Sequence, residues 1–152
     1  MFYEMLLVVI VTMSPIAELR GGIPLGIMLG LPATVVIPMA FAVNCLIFFP
    51  IYFGMGLFYD RFFARFGWAS RLVGRLHKKA PFIEKYGWLA LAVFVGVPLP
   101  LTGAWTGTGI AWLLGIDWKK SFLAVSLGVL MATVIVSIFA LGMFGLLAGV
   151  SL

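Results

Sequence analysis

Thirteen residues near the start of the chain, Ser14-Pro-Ile-Ala-Glu18-Leu-Arg20-Gly-Gly-Ile-Pro24-Leu-Gly26, put an acid, a base, two prolines and three glycines inside an otherwise apolar stretch. Met1 to Met13 and Ile23 to Leu31 are apolar enough for lipid. Each charge between them costs about 2.5–3.5 kcal/mol at a membrane helix centre on insertion scales. Glu18 and Arg20 must therefore be shielded by protein or water. Pro15 and Pro24 lack backbone donors, and Gly21-Gly22 permits a sharp turn, so the backbone is expected to break here. A break at membrane depth survives only where protein buries it or a cavity wets it. The stretch reads as the tip of a re-entrant hairpin and half of a binding site.

The rest of the composition agrees with a lipid environment. Hydrophobic residues make up 64% of the 152, charged residues 10%, and the mean hydropathy is +1.21. These values exclude a soluble domain and leave room for one integral membrane domain. Cys45 is the single cysteine, which rules out an intrachain disulfide, an iron–sulfur cluster and a cysteine zinc site. The single His77 lies among Arg75, Lys78 and Lys79, as on a solvated face; no metal and no cofactor is expected. The N-terminal segment has Glu4 and no basic residue before its apolar run, unlike a cleaved signal peptide, and is expected to be retained.

Five segments follow in order: a broken apolar unit over 1–32, a spanning helix over 33–59 with Asn44 inside it, a basic amphipathic segment over 60–86, a second broken unit over 87–117, and a spanning helix over 118–152. Pro38 and Pro50 are expected to kink the first spanning helix. In the basic segment Phe62, Phe66, Ala69, Val73 and Leu76 form one helical stripe opposite the basic residues, which predicts a helix in the headgroup layer, started at Asp60 and ended by Pro81. The second break is Val97-Pro98-Leu-Pro100-Leu-Thr102-Gly103-Ala-Trp105-Thr106-Gly107-Thr108-Gly109. Pro15 and Pro98 are 83 residues apart, and Pro32 and Asp117 are 85 apart. The fold class expected is an all-α integral membrane protein, an inverted repeat of two halves, each a re-entrant hairpin plus a spanning helix, with an amphipathic interfacial helix between them.

Charge placement gives the orientation. If each broken unit returns to its own side, nine of the ten Lys and Arg residues share one face, and the tenth is Arg20. Four full spans would instead set Lys119 and Lys120 opposite the basic loop. The positive-inside rule then puts loop 60–86 in the cytoplasm and both termini outside a cytoplasmic membrane. The same rule explains the net charge of +5 without nucleic acid.

Arg20 offers a planar fork of donors for phosphate or carboxylate, and Glu18 can exchange a proton. Pro24 suits the first residue of a half-helix whose amides would favour an anion. Alternatively, Glu18 and Arg20 pair with each other and hold the hairpin together. In the second tip Thr102 and Thr106 supply hydroxyls, Gly103 close approach and Trp105 an aromatic wall; tight helix packing is the other use of Thr and Gly in membranes. Gly128 with Ala132, and Gly145 with Gly149, suggest close helix contact within the chain or in a homodimer. The acids are scattered and no nucleophile or phosphate-loop motif occurs, so no enzyme is expected.

The two motifs Ser14-Pro-Ile-Ala-Glu-Leu-Arg-Gly-Gly-Ile-Pro24 and Val97-Pro-Leu-Pro-Leu-Thr-Gly-Ala-Trp-Thr-Gly107 resemble the signatures of the small multidrug export protein family, a branch of the DedA superfamily. The resemblance spans essentially the whole chain and implies two re-entrant hairpins meeting tip to tip. It also implies Glu18 and Arg20 as the acidic and basic positions of the first hairpin. The second motif has no arginine, unlike that of DedA proteins proper. The function expected is a transporter or flippase for an amphiphile with an anionic headgroup, such as a polyprenyl phosphate or phospholipid, with protons as the coupling ion. Its site would be Glu18, Arg20, Gly21, Gly22, Pro24, Pro98, Pro100, Thr102, Gly103, Trp105 and Thr106, with membrane lipids as surroundings. The alternatives are a proton-coupled exporter of cationic amphiphiles and a non-transporting membrane scaffold.

Overall fold

A computed structural model of the chain describes residues 1–58, 80–98 and 102–150, with side chains described over 1–57, 87–98 and 102–146. Among the described residues all regular structure is helical. The helices are α1 (Phe2–Met13), α2 (Glu18–Met28), α3 (Ala33–Phe58), α4 (Ala80–Gly96), α5 (Ala104–Leu113) and α6 (Trp118–Val150). Two of them, α3 and α6, are long and apolar enough to cross a membrane, over Ala33–Leu57 and Trp118–Leu146. At 1.5 Å per residue, the 12 residues of α1 reach about 18 Å and the 10 of α5 about 15 Å, short of a hydrocarbon core of ~30 Å. The chain is a helical membrane protein.

Several local features of the first half recur in the second. Helix α2 is followed two residues on by Gly30, in the left-handed region at φ 76°, and α5 in the same way by Gly115, 85 residues later, at φ 69°. In the first, the Leu31 N–H donates to Gly26 O and the Gly30 N–H to Ile27 O; in the second, Ile116 donates to Ala111 O and Gly115 to Trp112 O. Both are Schellman caps, in which a glycine accepts the positive φ that a side chain would resist. Leu31 and Ile116 then bury their side chains at 7% and 1% exposure and launch the long helices.

Packing follows the same plan. In the first half α1, α2 and α3 touch pairwise, as do α4, α5 and α6 in the second; across the halves α3 meets α5, α2 meets α6, and α3 meets α6. Exchanging the halves leaves this set of contacts unchanged. Gly22 of α2 lies so close to Thr12 of α1 that a Cβ would overlap its hydroxyl, and Gly107, 85 residues on, has the same relation to Val95 of α4. One core runs through both halves, with Val8, Leu19, Ile23, Val36, Phe48, Val95, Ala111, Val125 and Val129 all at 2% exposure or less. Rings of Phe48, Phe49 and Phe122, with centroids 5.1–5.7 Å apart, tie α3 to α6, each pair contributing about 0.5–1.5 kcal/mol beyond its area.

The structure revises several local expectations. The first break is at Ser14–Ala17, not at Gly21-Gly22, which are helical. Those glycines serve close packing instead: a Cβ on Gly21 would stand 2.8 Å from that of Ala17. Helix α2 starts at Glu18, so Pro24 lies inside it and is not its first residue. Pro38 and Pro50 lie inside α3, where the kinks are expected, and the helix runs through both. Pro81 falls in the first turn of α4, where a missing N–H removes no helical bond. Of the amphipathic segment expected over 60–86, residues 60–79, with the stripe and His77, lie outside the described residues, and 80–86 form the start of α4. Gly128 fits between α6 and α4, a Cβ there meeting Ala92 O at 2.6 Å, whereas Gly145 faces open space.

Candidate functional site

The two breaks come together, and each supplies what the other lacks. A helix end leaves amides or carbonyls without intrahelical partners, and these must be satisfied where water is scarce. Glu18, at the start of α2, is 4% exposed and holds the left-handed φ of 49°, which for a residue with a side chain costs about 1–3 kcal/mol. Its Oε1 accepts the Trp105 N–H at 3.2 Å, in the first turn of α5. Gly103, the residue preceding α5, leaves the room: a Cβ there would overlap the Glu18 carboxyl. The carboxylate thus caps the N-terminus of α5, the end that favours negative charge.

Arg20, in the first turn of α2, performs the complementary task at the end of α4. Its Nη2 donates to Val97 O at 3.1 Å, Thr102 O at 3.3 Å, Thr102 Oγ1 at 3.2 Å and Val95 O at 3.4 Å. The Thr102 hydroxyl in turn donates to Val97 O at 2.7 Å. A guanidinium among the last carbonyls of a helix meets its negative end. Trp105 lies 85 residues after Arg20 and makes the matching contact in the other direction, its Nε1–H donating to Met13 O at 3.2 Å. Met13 is the last residue of α1. The first break therefore caps α4 through a cation, and the second caps α1 through an indole.

The remaining expected residues divide into those at this junction and those beside it. Glu18, Arg20, Thr102, Gly103 and Trp105 form the junction. Gly21 and Gly22 pack α2 onto α1 behind it, and Pro24 is one turn further along α2. Pro98 is exposed beside Val97, while Pro100 lies outside the described residues. The Thr106 hydroxyl donates to Gly103 O at 3.2 Å and that of Thr108 to Ala104 O at 2.6 Å, so both support their own helix. Among the described residues no group of three His, Cys, Asp or Glu could hold a metal.

Two features escape sequence reasoning. Thr12 is fully buried against Gly22, and its hydroxyl has no hydrogen-bond partner among the described residues. An apolar cleft of about 420 Å³ opens beside the junction, lined by Met13, Ile47, Pro50, Ile51, Gly54, Met55, Trp105 and Gly109. It draws on α1, α3 and α5, and nothing in the order of the chain announces that assembly.

No curated protein and no solved structure matches the chain. The model of one protein family, described as "Putative small multi-drug export protein", matches residues 18–135, a range that begins at Glu18, just after the first break, and runs through the second tip and about half of α6. With more than three quarters of its length matched, and the acid, base and second tip of the junction inside the matched range, the chain belongs to the small multidrug export protein family.

Proposed function

We propose that this protein is a proton-coupled exporter of small cationic amphiphiles, with Glu18 as the group that takes up the proton. The observation that carries the reading is the Glu18 carboxylate, buried at the start of α5 and bonded to the backbone of Trp105. Ionised, it matches the positive end of α5; protonated, it loses that match and the two tips are held less tightly. Proton uptake is thereby coupled to separation of the tips, and an inverted repeat of broken helices near the membrane midplane is the architecture in which such motion alternates access. The repeated caps, the mirrored packing and the short paired helices support two re-entrant hairpins in each of which the chain returns to its own side. The family's description as exporters points the same way.

A flippase for a phosphate-headed lipid is the second reading, and it rests on Arg20. Four acceptors of the second tip surround Nη2 of that side chain, which favours a holding role over headgroup capture. The test uses proteoliposomes loaded with ethidium, with an imposed pH gradient. Efflux is expected to follow the gradient in the parent and to lose that dependence in Glu18→Gln. Gradient-driven efflux that survives in Glu18→Gln overturns the reading. Native mass spectrometry of the parent and Arg20→Ala tests the rival: a discrete anionic lipid retained by the parent alone would move the flippase to first place.

A further inference from the structure

The cleft beside the junction has the properties of a binding site for an apolar body of drug size. Its volume, about 420 Å³, falls in the roughly 300–1,000 Å³ range of small-molecule sites. No charged side chain lines it. Met13 and Met55 border it with flexible thioethers, which adapt to different shapes, and Trp105 gives it an indole wall. Two of its lining positions are glycines, Gly54 on α3 and Gly109 on α5, and a Cβ at either would meet no atom within 4 Å. The space in front of them is therefore open, in contrast to Gly22, Gly26, Gly103, Gly107 and Gly128, which all face close neighbours.

Trp105 joins this cleft to the junction. Its ring borders the cavity, its Nε1–H holds the end of α1, and its backbone N–H is bonded to Glu18. We infer that the cleft between α3 and α5 binds the aromatic or alkyl body of a hydrophobic cation, with the charged end toward Trp105. An indole face attracts cations when desolvated, and the Glu18 carboxylate is bonded to the backbone of the same residue. An occupant pressing on Trp105 strains the very bonds that keep the tips together, so loading and tip separation share one residue. The assignment of a cationic substrate rests on the exporter reading; the location of the site does not.

Glycine-to-leucine substitution tests the location directly. Gly54→Leu and Gly109→Leu fill the cleft from α3 and from α5 without a clash at Cβ, and leucine is the better helix former. Gly142→Leu is the matched control: Gly142 is exposed on α6 and also faces open space, away from the cleft. Binding of radiolabelled tetraphenylphosphonium is measured to protein in lipid nanodiscs. Saturable binding is expected in the parent and Gly142→Leu, weakened at least tenfold in Gly54→Leu and Gly109→Leu, with thermal midpoints in detergent showing all four folded. Fillers that bind like the parent, or a parent without saturable binding, overturn the inference. Glu18→Gln separates the two readings: retained binding without gradient-driven efflux supports both, whereas retained binding with unaltered efflux leaves the cleft in place and removes the coupling role of Glu18.

Discussion

Gly103 and Glu18 share one small space, and this makes a glycine a determinant of where a carboxylate sits. The backbone of Gly103 is at φ −92°, ψ −161°, which any residue can adopt, so Gly103→Ala acts through its methyl group alone. That methyl group would expel the Glu18 carboxyl from the start of α5. Losing a charge-assisted cap costs about 1.5–3 kcal/mol. Gly103→Ala is therefore expected to lower the apparent thermal midpoint in detergent by several degrees, and Glu18→Ala to do the same by another route. Combined, they should cost little more than either alone, because alanine at 18 vacates the space the methyl group needs. Additive losses in the four-member cycle would mean that the two residues act separately. The importance of Glu18 is legible in sequence, where an acid in an apolar run demands a reason. The role of Gly103 is less so, because glycine in a tip reads equally as a turn, a packing position or a ligand approach.

At the scale of the elements, the ends of the broken helices explain why both charges are present. The carboxylate meets an N-terminus and the guanidinium a run of C-terminal carbonyls, each with the sign that the helix end favours, at up to about 2 kcal/mol in a partly buried geometry. If Glu18 and Arg20 served only to neutralise each other, exchanging them would preserve the pair. The caps predict the opposite, since Glu18→Arg with Arg20→Glu puts a cation at the start of α5 and an anion at the end of α4. The exchanged protein is expected to accumulate poorly in membranes and to unfold at a lower temperature than either Glu18→Gln or Arg20→Lys. Parent-like stability of the exchange would reduce the two residues to an ion pair. The sequence placed the breaks to within a few residues, because charge and proline cannot be hidden in lipid. It misassigned the parts within the first break, since Gly21-Gly22 and Pro24 look like the turn and helix start but lie inside α2. Glycine in a membrane helix has two uses, flexibility and close approach, and only the partner across the interface distinguishes them. Thr12 is that partner, and it lies ten residues earlier on another helix.

The whole molecule must reconcile short helices with a thick membrane. α1, α2 and α5 have 12, 11 and 10 residues, and at 1.5 Å per residue none exceeds about 18 Å, whereas α3 with 26 residues reaches about 39 Å. A helix of about 18 Å ending in an uncapped carbonyl inside hydrocarbon would be costly; here the far end meets the opposite tip and is capped by it. We therefore propose two hairpins, with α1 and α2 entering from one face and α4 and α5 from the other. It fixes an accessibility pattern that four full spans cannot produce. Single cysteines are introduced at Phe2, Lys78 and Lys119 in a Cys45→Ser background and tested with a membrane-impermeant thiol reagent on intact cells and on inverted vesicles. Hairpins predict labelling at 78 and 119 from the cytoplasmic side and at 2 from the outside. Four full spans put 119 on the face opposite 78. Labelling of 119 from outside would therefore overturn the two-hairpin architecture and, with it, the meeting of the tips from opposite leaflets on which coupling through Glu18 depends.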